Sequence, residues 1–352
     1  MRISQFDYEL PEELIAQHPL ERRDASRMLV IKRSEGSWRD DAFSEFPSEL
    51  RAGDTLVLNN TRVFPARLVG RREPTGGRVE LLLVRRREDV GVNVWEALTR
   101  PARRLDAGAR LEFGGGRLRA EVLSTTDDGA ARVVRFEADG DFDALIEEFG
   151  QMPLPPYIRR EGDDLVSRAE DRERYQTVYA ASRGAIAAPT AGLHFTPRVF
   201  DGLRARGVRV AEVTLHVGYG TFAPVRAEDL CEHSVAPESF EIGEGAEEEI
   251  NQTRERGGRV VAVGTTTVRA LESVADERGR VRAGRGETAL TITPGHEFRA
   301  VGALLTNFHL PRSSLLVLVS AFAGRGLVLA AYRHAVAARY RFYSYGDCML
   351  IL

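Results

Sequence analysis

Between residues 65 and 150 the chain reads almost wholly as β-strand, and from 176 onward as alternating strand and helix. That break in texture constrains the fold more than any other feature. In the first block "RVELLLVRR", "VWEALTR", "RLRAEVLST" and "ARVVRFEA" are short, partly alternating and separated by Gly or Asp turns. Strands of that length and spacing predict a small barrel. "DFDALIEEFG" closes the block as a helix stopping at Gly150, and "QMPLPPYI" follows as a stiff connector. Residues 1–64 mix a short helix, "PEELIAQH", with strands "SRMLVIKR" and "DTLVLNN".

The later part alternates. "AIAAP" leads into "APTAGLHFTP", where Thr196 caps and Pro197 opens the helix "RVFDGLRARG". Strands "VRVAEVTLHVG", "RVVAVG" and "AVGALLTNF" are interleaved with helices "EGAEEEINQTRERGG" and "TTTVRALESVADERG". "SSLLVLVSAFAG", capped by Ser313 or Ser314, and "LVLAAYRHAVAARYRF" read as helices, and "CMLIL" as a last strand. This predicts an α/β domain formed by the N- and C-terminal segments, residues 1–64 plus 151–352, with a small β-barrel domain, 65–150, inserted.

Composition narrows the chemistry. The chain has 352 residues, 43 % hydrophobic and 29 % charged, as in a globular protein of one or two domains. No basic arm precedes an apolar run at the N-terminus, and "SLLVLVSAFAG" is too short to span a bilayer. The expected location is cytoplasmic, without a membrane. Cys231 and Cys348 form no CxxC pair and the seven histidines show no HExxH, so no metal is expected. Lys32 is the only lysine, so a P-loop is excluded and Schiff-base chemistry is improbable. Net charge is −3, but arginine clusters occur at 85–87, at 100, 103 and 104, and at 333, 339 and 341. Each fits a solvated face; together they suit phosphates.

Polar loops fall where the strands of the α/β part end, the place where open α/β sheets bind ligands. They bring His194, His216, Thr265, Thr266, Arg269, Asn307 and His309 to one rim. A lone loop histidine is usually a structural hydrogen-bonder; several beside Gly, Thr or Asn point to a site. "VGTTTVR" is a helix start suited to an anion, and equally to simple threonine capping. In "HVGYGTF" glycines flank Tyr219 and allow close approach of a flat ligand, or serve only the turn.

With these residues assembled, the chain resembles the S-adenosylmethionine:tRNA ribosyltransferase-isomerase family of queuosine biosynthesis. The matching strings are "FDYELPEELIAQHPLERRDASRMLV", "LVLNNTRVFPARL", "MPLPPYI", "RYQTVYA", "APTAGLHFTP", "TLHVGYGTFAPV", "VAVGTTTVRALE", "LLTNFHLPRSSLLVLVSAFAG" and "RYRFYSYGDCMLI". The chain departs from the family pattern at Asn60, where aspartate is common, at Val235 and Ala236, where methionine and histidine are usual, and at His296, which replaces a tyrosine. The resemblance implies an α/β domain with an inserted barrel. It also implies transfer and isomerisation of the ribosyl group of S-adenosylmethionine onto 7-aminomethyl-7-deazaguanine at the tRNA wobble position.

On that reading the partners are S-adenosylmethionine and a tRNA carrying that base, and the chain works as a monomer. S-adenosylmethionine is a consumed co-substrate, and no cofactor is required. A base must remove the acidic C5′ proton, which His194 or His216 would do, with His309 near the site. Asn60, Arg62, Thr190, Tyr219, Thr265, Thr266, Arg269 and Asn307 are the expected substrate-binding residues. Phe195, Phe222 and Phe308 join Tyr219 as aromatic candidates for sulfonium or adenine, against a plain core role. Arg269 or the amides of Thr265–Thr267 would hold the methionine carboxylate. The barrel arginines would grip tRNA phosphates. The competing readings are a non-catalytic RNA-binding protein and an ordinary methyltransferase. Four converging polar loops oppose the first, and the lack of an N-terminal glycine-rich strand–loop–helix opposes the second.

Overall fold

The computed structural model describes residues 1–102, 105–127, 129–160, 165–218 and 227–352. In chain order, β1 (Arg27–Lys32), β2 (Ser37–Ala42), α1 (Phe46–Glu49), β3 (Thr55–Asn59) and β4 (Thr61–Val63) come first. Then follow β5 (Arg67–Glu73), β6 (Arg78–Arg86), β7 (Val94–Arg100), β8 (Arg110–Phe113), β9 (Leu118–Thr125), β10 (Arg132–Ala138), α2 (Phe142–Phe149) and α3 (Leu165–Arg174). The last stretch holds β11 (Ser182–Ala185), α4 (Pro197–Ala205), β12 (Arg209–Leu215), β13 (Glu238–Ile242), α5 (Glu244–Glu255), β14 (Val260–Val263) and α6 (Thr265–Val274). It ends with β15 (Gly284–Thr288), β16 (Ala303–Asn307), α7 (Ser314–Ala323), α8 (Arg325–Ala337) and β17 (Cys348–Ile351).

Two compact units form. One holds Met1–Arg62, Pro155–Arg160 and Gln176–Leu352; the other holds Val63–Leu154 and Glu161–Tyr175. The smaller unit is a closed barrel with strand order β10-β7-β6-β5-β8-β9. Alternation builds it: Val79, Leu81 and Leu83 of β6 are fully buried while their neighbours are not. Gly70 is needed where β5 crosses β8, since a Cβ there would lie 2.2 Å from the Glu112 carbonyl oxygen. Asp141 caps α2 by accepting from Ala144 N, and Phe142 packs on Trp95 and Phe136.

The larger unit is a nine-stranded mixed sheet, β15-β13-β12-β3-β14-β16-β17-β1-β2. Its central strands are buried on both faces, so they read as continuous apolar runs. Alternate residues serve opposite cores. Val57, Ala262, Leu304 and Met349 share one cluster with residues of α5 to α8, while Leu56, Val261, Leu305 and Leu350 share another with residues of α4. The caps expected at Thr196 and Ser313 are present, accepting from Val199 N and Leu316 N.

Two expectations fail. "PEELIAQH" makes only a 3-10 turn over Glu12–Leu14, because its backbone pairs elsewhere: Phe342 N donates to Leu14 O, and Ala16 N to Phe342 O. Tertiary pairing overrides helix propensity here. The loop "APTAGLHFTP" does not follow a strand of the large sheet, contrary to what is expected of the polar loops. β11 ends at Ala185 and pairs only with β4. The chain then runs beside the end of β12, with Ile186 N donating to Val217 O. No single helix among the described residues is long and apolar enough to cross a membrane.

Candidate functional site

Strand direction assembles the site. β12, β3, β14 and β16 run parallel, so their carboxyl ends share one rim. β17 is antiparallel to β16, with Asn307 opposite Cys348, and parallel to β1, with Met28 opposite Cys348. The starts of β17 and β1 therefore reach the same rim. An open cleft of about 510 Å³ lies there, its wall including Thr190, Thr265, Thr266, Asn307, His309 and Tyr343.

The Gly264–Thr266 wall is a helix start. Gly264 takes φ +88° and supplies no side-chain cap, and α6 begins at Thr265. A ten-residue helix begun this way directs its first amides and the positive end of its dipole outward. Behind it, Asn59 Nδ2 donates to Leu215 O and more weakly to Thr266 Oγ1, 3.4 Å away.

His309 and His194 are both buried. His309 Nε2 lies 3.0 Å from Thr306 Oγ1, and burial drives its pKa from 6.5 to about 3. His194 ends a 3-10 turn over Thr190–His194, with Phe43 against its ring and its Nδ1 2.8 Å from Ser26 Oγ. Burial lowers its pKa to about 4; the nearby Asn307 side chain favours the protonated form, while Arg341 and Arg23 oppose it. Neither His194 Nε2 nor Asn307 Oδ1 completes a hydrogen bond. Asn307 Nδ2 donates to Tyr343 O at 2.9 Å. Tyr343 itself takes φ +75°, unusual for a large side chain, with its ring against Tyr157.

Other expected residues lie apart from this wall. Val217 lines the cleft, so strand alternation sends His216 to the opposite side. There its Nδ1 meets Thr61 Oγ1 at 2.8 Å and its ring covers Gly184, where a Cβ would come within 2.6 Å. Desolvation lowers its pKa, against the pull of Glu241. Asn60 joins that second polar group, donating to Glu212 and accepting from Thr214 Oγ1. Arg62 is exposed on β4. Arg269 is not open to a ligand carboxylate. It is buried in an ion pair with Glu238, and donates further to the carbonyls of Leu290 and Thr288. Phe195 and Phe308 are wholly buried core residues, although Phe308 also borders the cleft. Tyr219, Phe222, Arg103 and Arg104 lie outside the described residues.

Sequence reasoning missed Ser26, Thr306, Tyr343 and Ser344. Their only signal was membership of the strings "RDASRMLV", "LLTNFHLP" and "RYRFYSYGDC". The reversal of β17 that brings the last string to the rim has no local signature.

A cleft lined by a helix start and the His309 imidazole, at the strand ends of an α/β sheet in a chain that also forms a closed barrel, is the arrangement of a ligand-binding α/β protein. The chain belongs to the queuosine biosynthesis protein family, whose model matches residues 3–351. It is 53 % identical over 352 residues to the S-adenosylmethionine:tRNA ribosyltransferase-isomerase of Symbiobacterium thermophilum, and 50 % identical to that of Halothermothrix orenii, in each case covering 100 % of both chains. The crystal structure of S-adenosylmethionine tRNA ribosyltransferase from Thermotoga maritima matches with TM-score 0.55 and 39 % identity, covering 99 % of this chain and 100 % of that one.

Proposed function

We propose that the chain transfers the ribosyl group of S-adenosylmethionine to a 7-aminomethyl-7-deazaguanine base in tRNA and isomerises it, giving epoxyqueuosine with release of adenine and methionine. The observation that carries this reading is the end-to-end likeness to relatives bearing that activity's name. A non-catalytic RNA-binding role is not favoured by the same likeness.

The chemistry asks for few groups. The sulfonium acidifies the C5′ hydrogen, and a neutral imidazole takes it. Both buried histidines are neutral at pH 7. His309 lines the cleft, whereas His194 is the one whose Nε2 carries no completed bond, and His194 is taken as the base. A base of pKa about 4 is weak, so the sulfonium supplies most of the acidity. Adenine then departs from C1′ with its bonding electrons and a proton. The base's amino nitrogen bonds to C1′ and gives up a proton, and the C5′ carbanion bonds to C1′ as the C1′–O4′ bond breaks. The freed ring oxygen displaces methionine from C5′ to leave an epoxide across C4′ and C5′. The methionyl carboxylate sits on the amides of Thr265 and Thr266. Arg269, already paired, takes no part in that contact. The protein works as a cytoplasmic monomer and needs no cofactor besides the co-substrate.

The test is incubation with S-adenosylmethionine and tRNA bearing the modified base. Stoichiometric adenine and methionine are expected. Labelled methyl appearing in RNA without adenine release would reject the reading. Grip on tRNA through arginines requires that affinity fall steeply with salt; a flat response would remove that part.

A further inference from the structure

We infer that Ser26 is a positioning residue: it holds His194 with its proton on Nδ1, so that Nε2 and Asn307 Oδ1 stand together as acceptors for one N–H or O–H donor of the bound nucleoside. This rests on the proposed function for the identity of the nucleoside, but the proton's location stands by itself.

The argument is a count of hydrogens. Ser26 has one hydroxyl hydrogen, and Ser26 Oγ donates it to the Arg23 carbonyl, 3.3 Å away, which has nothing to give back. With the hydroxyl hydrogen on the Arg23 carbonyl, the 2.8 Å contact between Ser26 Oγ and His194 Nδ1 is donated by the ring, and that is the tautomer assigned here. A neutral imidazole has one N–H, so Nε2 is left as a lone pair. Asn307 is oriented by the same kind of logic. Its Nδ2 donates to Tyr343 O, a carbonyl that can only accept, which fixes the amide with Oδ1 toward the remaining space. Neither Nε2 nor Oδ1 completes a well-formed hydrogen bond, although Asn307 lies close enough to His194 to favour its protonated form. His194 is 4 % exposed and Asn307 2 %.

An orphaned buried acceptor costs about 1–3 kcal/mol, and native proteins hold few of them. Two acceptors on neighbouring side chains do not relieve each other; a donor between them relieves both. Asn307 borders the cleft, so the donor can arrive with a ligand. The ribose hydroxyls and the adenine amino group are the donors a sulfonium nucleoside offers. Once that donor is seated, the Nε2 lone pair is also aligned for proton transfer. Ser26 acts only through His194, at the entry to β1 where β17 and β1 bring the rim together.

The experiment uses the full chain labelled with ¹⁵N-histidine, with the His194 signals assigned by their loss in His194→Gln. In the free protein Nδ1 is expected as a pyrrole-type and Nε2 as a pyridine-type nitrogen. Unreactive S-adenosylhomocysteine should shift Nε2. The N6,N6-dimethyl form failing to do so assigns the donor to the amino group; the 2′,3′-dideoxy form failing assigns it to ribose. No shift with any of them overturns the acceptor pair. Ser26→Ala should lose the tautomer preference and lower kcat for adenine release roughly 10- to 100-fold with KM for S-adenosylmethionine little changed. Ser26→Thr, which keeps the hydroxyl, should restore both. A wild-type spectrum with the proton on Nε2 overturns the proposal, as does a Ser26→Ala enzyme with unaltered tautomer and kcat. Should Ser26→Ala fail to fold, the wild-type and Ser26→Thr spectra still decide. Absence of adenine release from the wild type would reject the function instead, and leave the tautomer result standing.

Discussion

In the barrel several charged groups answer one another across its surface. Arg67 meets Glu80, Arg87 meets Asp89 and Glu96, Arg117 meets Glu148 and Arg135 meets Glu121, at 2.6–2.9 Å. Its buried orphans are few: Trp95 Nε1 and Arg72 Nε among the described side chains. At the rim of the nine-stranded sheet the polar groups are far more deeply buried, and two acceptors on adjacent residues go unanswered. The difference separates polarity that serves solubility from polarity held in reserve. An exposed ion pair contributes little whether made or broken. A buried unpaired acceptor is a standing cost that a ligand can remove.

The largest effect should come from the rim. His194→Gln keeps a polar side chain of similar size, yet adenine release should fall roughly 10²- to 10⁴-fold in single-turnover assays. Wild-type turnover would erase the contrast drawn above. Next comes the buried pair next door. Glu238→Ala leaves the Arg269 guanidinium buried and uncompensated, and should cost about 3–5 kcal/mol in urea unfolding. A loss below 1 kcal/mol would mean that water reaches Arg269.

The pH response follows from the two depressed imidazoles. Their unfolded pKa is 6.5, their folded values about 4 and about 3. Between those limits the unfolded chain binds more protons, so stability is full above pH 6.5 and falls as pH drops. His194 alone accounts for about 3 kcal/mol by pH 4. Asp347, whose carboxyl is pushed up by burial, works in the opposite sense. Unfolding curves at pH 7.5 and pH 5 should show the loss, and His194→Gln should shrink it. The smallest effect belongs to the barrel: Arg87→Ala should leave the urea midpoint almost where it is in the wild type. A larger loss would show that this barrel pairing is structural after all.

Much of the fold was legible. The barrel strands with clean alternation, such as 78–86 and 94–100, and the capped helices at Thr196 and Ser313 can be read off because each obeys a local rule. The edge strands β2 and β15 cannot, since "SWRDDA" and "GRGET" have no apolar face to betray them. The site was legible in part. Thr190, Thr265, Thr266, Asn307 and His309 meet at one cleft because parallel strands put their ends together. His216 and Asn60 stand apart from that cleft because alternation just past the end of β12 and the β3–β4 link turn them to the other side. Ser26 was invisible: its importance arises from a partner 168 positions away in sequence.

The position of β17 has a consequence for how the molecule comes into being. Residues 348–351 are fully buried between β16 and β1, and among the described residues β17 alone joins those two strands. During synthesis β1 can pair with β2 at once, but its other edge must wait for a partner 320 positions on, from Met28 to Cys348. Removing a handful of residues from the C-terminus would therefore take away the strand that couples the first part of the chain to the rest of the sheet, and should cost far more than their number suggests.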